Sequence, residues 1–308
     1  MRRGGRLVLV AALGTVLAIA GCRGTGAKNA AAKPAVPAPR AKAPEYKTIA
    51  EAYNTRVAPL EKIWSTATIR IWYPDDQGEE QTDQVEAHFQ YIRPSDLLLT
   101  FEKVGETYAA LGCNEQQYWW IDKKQDRKAY VGTHARATAE RIAELGLPVH
   151  PLDLIEVMGI TPIPTTWNAY GPGETPQVRM SDDGQSVIVT TLGRNGPRRL
   201  WLNPVTLVPS HIELLGAGGK VLVSADLRDF QTVQARPDPE GPVLSGSMPT
   251  RVLTSVDRGR VRVRMTLYDP QVGGTRPKPA AFDFQNLVKS LNVSEIEDMD
   301  APRPAGGR

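Results

Sequence analysis

From residue 48 the apolar residues Ile49, Tyr53, Val57, Leu60 and Trp64 recur every three or four positions. That is the period of a helix with one buried stripe. Thr48-Ile49-Ala50-Glu51 has the form of a capping box, so the pattern predicts an amphipathic helix over 48–63. Pro59 interrupts it, since an interior proline kinks or ends a helix.

The period then changes to two. Ala67, Ile69, Ile71 and Tyr73 alternate with polar neighbours and with Trp72, and Pro74 to Gly78 is a turn. Val85, Ala87, Phe89 and Tyr91 alternate with Glu86, His88 and Gln90. Pro94-Ser95-Asp96 turns into an apolar strand over 97–103, and short strands fit 106–111, 115–121 and 127–131. Six strands joined by short links make an antiparallel meander. Residues 134–145 return to helical composition, closed by Gly146 and Pro148. Residues 151–158 suit a second short helix, and the Pro- and Gly-rich stretch 161–176 a loop.

A second meander follows, with strands at 187–192, 198–202, 210–215, 220–230, 250–256 and 260–268. Asp182-Asp183-Gly184, Arg194-Asn195-Gly196 and Asp257-Arg258-Gly259 mark hairpin turns. Phe282-Asp283-Phe284 and one short helix close the domain, and disorder is expected after 297. An antiparallel sheet with one apolar face needs a cover, and few helices are available. The expected fold is therefore mainly β with a few helices: a curved antiparallel sheet, wrapped as a half-barrel around a helical lid.

The N-terminus alters where this domain is expected. Arg2, Arg3 and Arg6 precede a 14-residue apolar run from Leu7 to Ala20. That run is short of the ~20 residues a bilayer span needs and fits a secretory signal. It ends at Ile19-Ala20-Gly21-Cys22, which resembles the lipobox of bacterial lipoproteins. An ordinary signal with an incidental cysteine is the plainer alternative. The resemblance implies a signal peptide at 1–21 and a mature chain beginning at Cys22, with palmitate-type acyl chains on that cysteine. Arg23, where enterobacterial lipoproteins kept in the inner membrane carry Asp, leans toward an outer-membrane anchor facing the periplasm. Residues 22–45 are rich in Ala, Pro and Lys and read as a tether. The folded domain is expected over 46–296, with an insertion at about 134–176 and a tail at 297–308.

The net charge of +3 comes wholly from the three N-terminal arginines, and without them 34 basic residues face 34 acidic ones. A neutral chain of that kind excludes a general nucleic-acid binder. Two cysteines exclude a disulfide scaffold and a Cys-rich zinc site. The chain carries no His-Glu-x-x-His, phosphate-loop or Gly-x-Ser-x-Gly motif. The expectation is a protein that is not an enzyme and needs no cofactor or metal.

One run of residues resembles a known family. Phe89-Gln90-Tyr91-Ile92-Arg93-Pro94 ends a strand, Leu97-Leu98-Leu99-Thr100-Phe101 follows, and Gly112-Cys113-Asn114 leads to Tyr118-Trp119-Trp120-Ile121-Asp122. This resembles the LolA and LolB periplasmic lipoprotein carriers and receptors over roughly residues 48–131, with a weaker match in pattern to about 285. The same superfamily includes RseB-type stress sensors and mycobacterial lipid-transfer lipoproteins. The resemblance implies an open half-barrel with helices over an apolar cavity for acyl chains. Ile92 stands where the family has a basic residue, and the insertion is additional.

Within that frame Ile69, Ile71, Phe89, Leu97, Leu99, Phe101, Trp119 and Trp120 are candidate cavity-lining residues; a packed core is the alternative. Adjacent Trp119 and Trp120 must face opposite sides of one strand. Arg93 is a candidate latch holding the lid, or simply the surface end of a strand. Arg258, Arg260, Arg262 and Arg264 share one face, either as an anionic contact or as a solvated surface. The expected partners are the membrane, through acyl chains, and a lipid or lipoprotein acyl chain. The rival function is a sensor or assembly module that binds an envelope protein partner.

Overall fold

The computed structural model describes residues 42–75, 77–123, 127–138, 141–142, 149–165, 175–194, 196–236, 240–256 and 259–301. Residues 41–308 are one compact unit with its own hydrophobic core, the property of a domain able to fold alone. The signal, the lipobox, Cys22 and most of the tether lie outside the described residues.

Helix α1 spans Tyr46–Val57, shorter at its C-terminal end than the apolar spacing predicts and earlier in its start. Its N-cap is Glu45 and no side chain caps it, so the capping box at Thr48 is not used. Pro59 is the reason for the early end: Ala58 caps the helix and strand β1 starts at Lys62. Trp64 is therefore a strand residue rather than part of the helical stripe, and it stacks on His88 with ring centroids 5.7 Å apart.

Among the described residues fourteen strands make one sheet. The first meander is β1 (Lys62–Pro74), β2 (Glu80–Ile92), β3 (Asp96–Lys103), β4 (Glu106–Cys113), β5 (Gln117–Asp122) and β6 (Lys128–Thr133). The second is β7 (Gln177–Met180), β8 (Val187–Leu192), β9 (Pro197–Leu202), β10 (Pro209–Leu215), β11 (Val221–Ala235), β12 (Leu244–Val256) and β13 (Val261–Val272). Pairing of β1 with β13 joins the two into a continuous antiparallel surface. The sheet is open and curved, in keeping with a half-barrel. A last strand, β14 (Glu295–Asp298), adds to β6 in parallel, and Lys128 bridges Glu295 and Glu297 at 3.1 and 2.6 Å. The tail expected to be disordered from 297 is thus ordered to Ala301, because the exposed edge of β6 supplies hydrogen-bond partners.

Helix α2 (Pro151–Val157) lies inside the concavity, touching β3 and β4 on one wing and β10 and β11 on the other. Residues 134–136 form a single 3-10 turn rather than the start of a long helix; most of the expected segment up to 148 lies outside the described residues. Helix α3 (Phe284–Ser290) packs on the outer face against β3 to β6. Its Asp283 N-cap accepts from the Asn286 N–H at 2.8 Å. Two close approaches depend on glycine. A Cβ at Gly112 would lie 2.7 Å from the Trp119 ring, and one at Gly246 would lie 2.0 Å from the Arg56 carbonyl, where α1 crosses β12.

Candidate functional site

Alternation places Ile69 and Ile71 of β1, Val85 of β2, Leu99 and Phe101 of β3, Leu111 of β4 and Trp120 of β5 on the concave face. Together with Val263 and Met265 of β13, and Leu154 and Val149 from the insertion, they line a cavity of about 820 Å³. That lies within the ~300–1,000 Å³ typical of small-molecule sites. Phe101 and Trp120 meet at 5.7 Å between ring centroids. The exposed residues Asp83, Lys103 and Val104 place the mouth at the end of the sheet where β3 turns into β4.

The structure divides the eight candidate lining residues. Ile69, Ile71, Leu99, Phe101 and Trp120 line the cavity. Phe89 and Leu97 do not: both are wholly buried in the main core. Leu97 lies two positions before Leu99 on β3, and Phe89 pairs in register with Leu99 on the neighbouring strand but packs into the filled part of the interior. Trp119 is on the opposite, outer face, wholly buried with its ring 5.9 Å from Phe284. It is covered by α3. Strand parity required one of the two tryptophans to turn outward, and the C-terminal helix is what shields it.

Arg93 lies in the turn between β2 and β3. Its guanidinium donates to the Val57 carbonyl at the end of α1 and stands 3.9 Å from the Glu61 carboxylate. Its backbone N–H donates to the Glu61 carbonyl at 2.8 Å. The arginine thus ties the strand turn to the exit of the covering helix, where helix carbonyls lack internal partners.

A larger set of ties was not visible in the hydrophobic pattern. Tyr53 and Arg56 of α1 both donate to the Gly159 carbonyl, at 3.1 and 2.7 Å. Asn54 exchanges two 2.8 Å hydrogen bonds with the Ile163 backbone. Arg198 of β9, 1% exposed, forms an ion pair with Glu156 of α2 at 2.9 Å and donates to the Thr161 hydroxyl at 2.7 Å. Helix α1, helix α2 and the segment 159–163 are therefore one bonded lid, clamped to the second wing by Arg198 and to β12 by Arg56 through the Ser247 carbonyl at 2.9 Å. At the start of α2, the His150 Nδ1 accepts from the Leu152 N–H at 3.1 Å, and its Nε2 faces the His134 Nδ1 at 3.4 Å. The His134 Nε2 then donates to the Asn114 carbonyl at 2.8 Å. Only neutral rings satisfy all three contacts. Burial, then the nearby His134 and Arg194, lowers the His150 pKa to about 3.

Cys113 is buried, its Sγ 3.1 Å from the Ser95 carbonyl, and burial raises its thiol pKa. Such a thiol packs as a small side chain. On the outer face Arg70, Arg262 and Arg264 surround the Trp72 ring at 5.9, 5.3 and 5.0 Å. Arg258 lies outside the described residues. Among the described residues no group of three His, Cys, Asp or Glu side chains could hold a metal. No described helix is long and apolar enough to cross a membrane.

The chain is similar to LolA superfamily structures. A LolA superfamily protein from Nitrosomonas europaea matches over 79% of this chain and 99% of its own, with 15% identity and a TM-score of 0.45. A domain from Vibrio parahaemolyticus described as an outer membrane lipoprotein-sorting protein matches over 79% and 97%, with 12% identity and a TM-score of 0.48. The MucA/MucB complex of Pseudomonas aeruginosa matches over 73% and 94%, with 12% identity and a TM-score of 0.21. No protein-family model and no curated protein matches the sequence.

Proposed function

We propose that this chain is a lipid-anchored protein of the bacterial envelope that binds, or passes on, a lipid or a lipoprotein acyl chain. The observation that carries this reading is the cavity of about 820 Å³ between the concave face and α2, whose walls are mainly aliphatic and aromatic, with Asp83, Glu86, Glu102, Lys103 and Asp122 also in the lining. The mechanism is non-covalent. An acyl chain gains ~0.8 kcal/mol for each methylene removed from water, so about ten methylenes supply ~8 kcal/mol before any cost of opening the lid. Nothing in such transfer calls for a catalytic group.

Location and anchoring come from the N-terminal pattern. In this reading the signal ends at Gly21 and Cys22 carries the acyl chains. The tether lets the domain stand off the membrane, facing the periplasm from the outer membrane. Arg93 acts as the latch, because the group it holds is the C-terminal carbonyl of α1. A module that binds an envelope protein partner through a filled interior is the rival, and an unfilled apolar cavity speaks against it.

Leu99 is 2% exposed and lines the cavity. Leu99→Asp places a charge where an acyl chain would lie, at a cost of several kcal/mol when unpaired. Uptake of a fluorescent fatty-acid probe should be lost in Leu99→Asp. In Arg93→Leu it should persist with faster release. Circular dichroism alongside separates lost binding from lost folding. Undiminished uptake by folded Leu99→Asp would refute the site.

A further inference from the structure

We infer that the outer face of the sheet is a contact for an anionic phospholipid surface, built on Trp72 and the arginines around it; this rests on the reading of the chain as membrane-anchored and names the face that the domain turns to that membrane. Ile69 and Ile71 of β1 line the cavity, so Arg70 and Trp72 stand on the opposite side of the sheet. The register extends that side across four strands. One row is Ser255 of β12, Arg262 of β13, Trp72 of β1 and Thr82 of β2. The next is Leu253, Arg264, Arg70 and Gln84. These two rows hold three guanidiniums and no carboxylate.

Most of that charge is not neutralised where it stands. Arg262 pairs with Glu80. Arg70 donates to the neutral Gln84 side chain at 3.1 Å, and among the described residues neither Arg70 nor Arg264 makes an ion pair. The two lie directly opposite one another in register, and like charges so placed destabilise a sheet. The indole between them offsets part of that cost, with the three guanidiniums 5.9, 5.3 and 5.0 Å from the Trp72 ring centre. The bordering carboxylates stand apart from the pair. Glu86, one row further along β2, pairs in register with Thr68, and Asp226, beside Leu253, is bonded to His211 at 2.7 Å. An anion from outside is therefore the charge this face lacks, and the stacked arginines are already ordered to receive it.

A bilayer fits this face better than a small soluble anion. The charges are spread over a sheet surface, with Leu253 among them, rather than gathered in a cleft. Tryptophan is at home at the level of lipid headgroups, and arginine binds phosphate. The length of chain ahead of the domain also allows it. Lys62, just past α1, lies ~34 Å from Trp72 along β1 at the strand rise. Residues 23–45, fully extended at ~3.1 Å each, reach ~70 Å. A domain held at Cys22 can therefore lay this face on the same bilayer. Tethering raises the local concentration of that surface, so a few charges suffice.

The test uses the domain 41–308 and co-sedimentation with vesicles of phosphatidylcholine, alone or mixed equally with phosphatidylglycerol, at pH 7. The domain should bind the anionic vesicles and not the neutral ones, and added salt should weaken the binding. An arginine near such a surface is worth about fivefold in affinity, so Arg70→Gln/Arg264→Gln should bind about 25-fold more weakly. Its urea midpoint should equal or exceed that of wild type, because a like-charge pair is gone. Arg70→Lys/Arg264→Lys should keep most of the binding. Arg179→Gln/Lys289→Gln, which removes the same charge elsewhere, should leave it nearly unchanged. Absence of binding to anionic vesicles, or equal loss in the two glutamine variants, overturns the inference. So does displacement by inorganic phosphate beyond that by chloride at equal ionic strength, which would mark a free-anion site, or binding of polyglutamate in place of vesicles, which would assign the face to an acidic protein. None of these results touches the anchor, whose own failure is read from membrane retention of full-length Cys22→Ser.

Discussion

Removing the clamp between α2 and the second wing is a demanding test of how the lid is held. Arg198→Met keeps the length and apolar stem of the side chain but deletes its charge. The loss comprises a 2.9 Å ion pair with Glu156, a 2.7 Å hydrogen bond to Thr161 and a 3.2 Å hydrogen bond to the Pro162 carbonyl. Breaking a buried pair from one side costs about 3–5 kcal/mol, because the other charge is left stranded. Glu156 retains some contact with water, its side chain being 14% exposed, which places the expected loss near the lower end, at about 3 kcal/mol. For a domain of this size that is a fall in Tm of about 6–12 °C. Urea unfolding followed by circular dichroism measures it. Hydrogen exchange should localise the change, with faster exchange at the amides of 154–158. Adding Glu156→Leu should recover much of the loss, since the stranded carboxylate is then gone. A single variant within about 1 kcal/mol of wild type would refute the clamp, and so would a double variant no more stable than the single one.

Other expectations concern single positions. Gly112→Ala should cost about 2 kcal/mol, since its Cβ would stand 2.7 Å from the buried Trp119 ring, and Trp119→Phe in the same chain should relieve part of it in urea unfolding. His150 has its pKa lowered from 6.5 to about 3 on folding, so its contribution is present above pH 6.5 and is lost as pH falls from there toward 3. By pH 4 the loss is about 3 kcal/mol, and His150→Asn, which keeps a capping oxygen, should show a correspondingly flatter fall between pH 7 and 4. Cys22→Ser should move the protein out of the membrane fraction with its first 21 residues uncleaved; normal processing and membrane retention would contradict the anchor.

Much of the architecture was legible because strands announce themselves by parity. The alternation at 67–73 and 85–91 corresponds to β1 and β2, and the opposite facing of Trp119 and Trp120 follows from adjacency alone. Trp64 was misplaced because a spacing of four is also a multiple of the strand period of two, and Pro59 was the better guide to where the helix ends. Phe89 and Leu97 are as apolar as Leu99 and Phe101; pattern separates inner from outer face, but not the filled part of a concavity from the open part. Arg198 sits beside Arg199 after a proline, where a strand edge in water is the natural reading. Its partners Glu156 and Thr161 come from the insertion, a contact across the sheet that no local signal records.

The central claim is that the space between the concave face and α2 holds an acyl chain. Its most direct test is mass spectrometry of lipids extracted from residues 41–308, exported to a bacterial periplasm and purified without detergent. Wild type should carry acyl lipid in near-stoichiometric amount, and folded Leu99→Asp should carry none. Well-folded wild-type protein free of lipid, and unable to take up an acyl probe, would contradict the account and favour the rival, a module that binds an envelope protein partner.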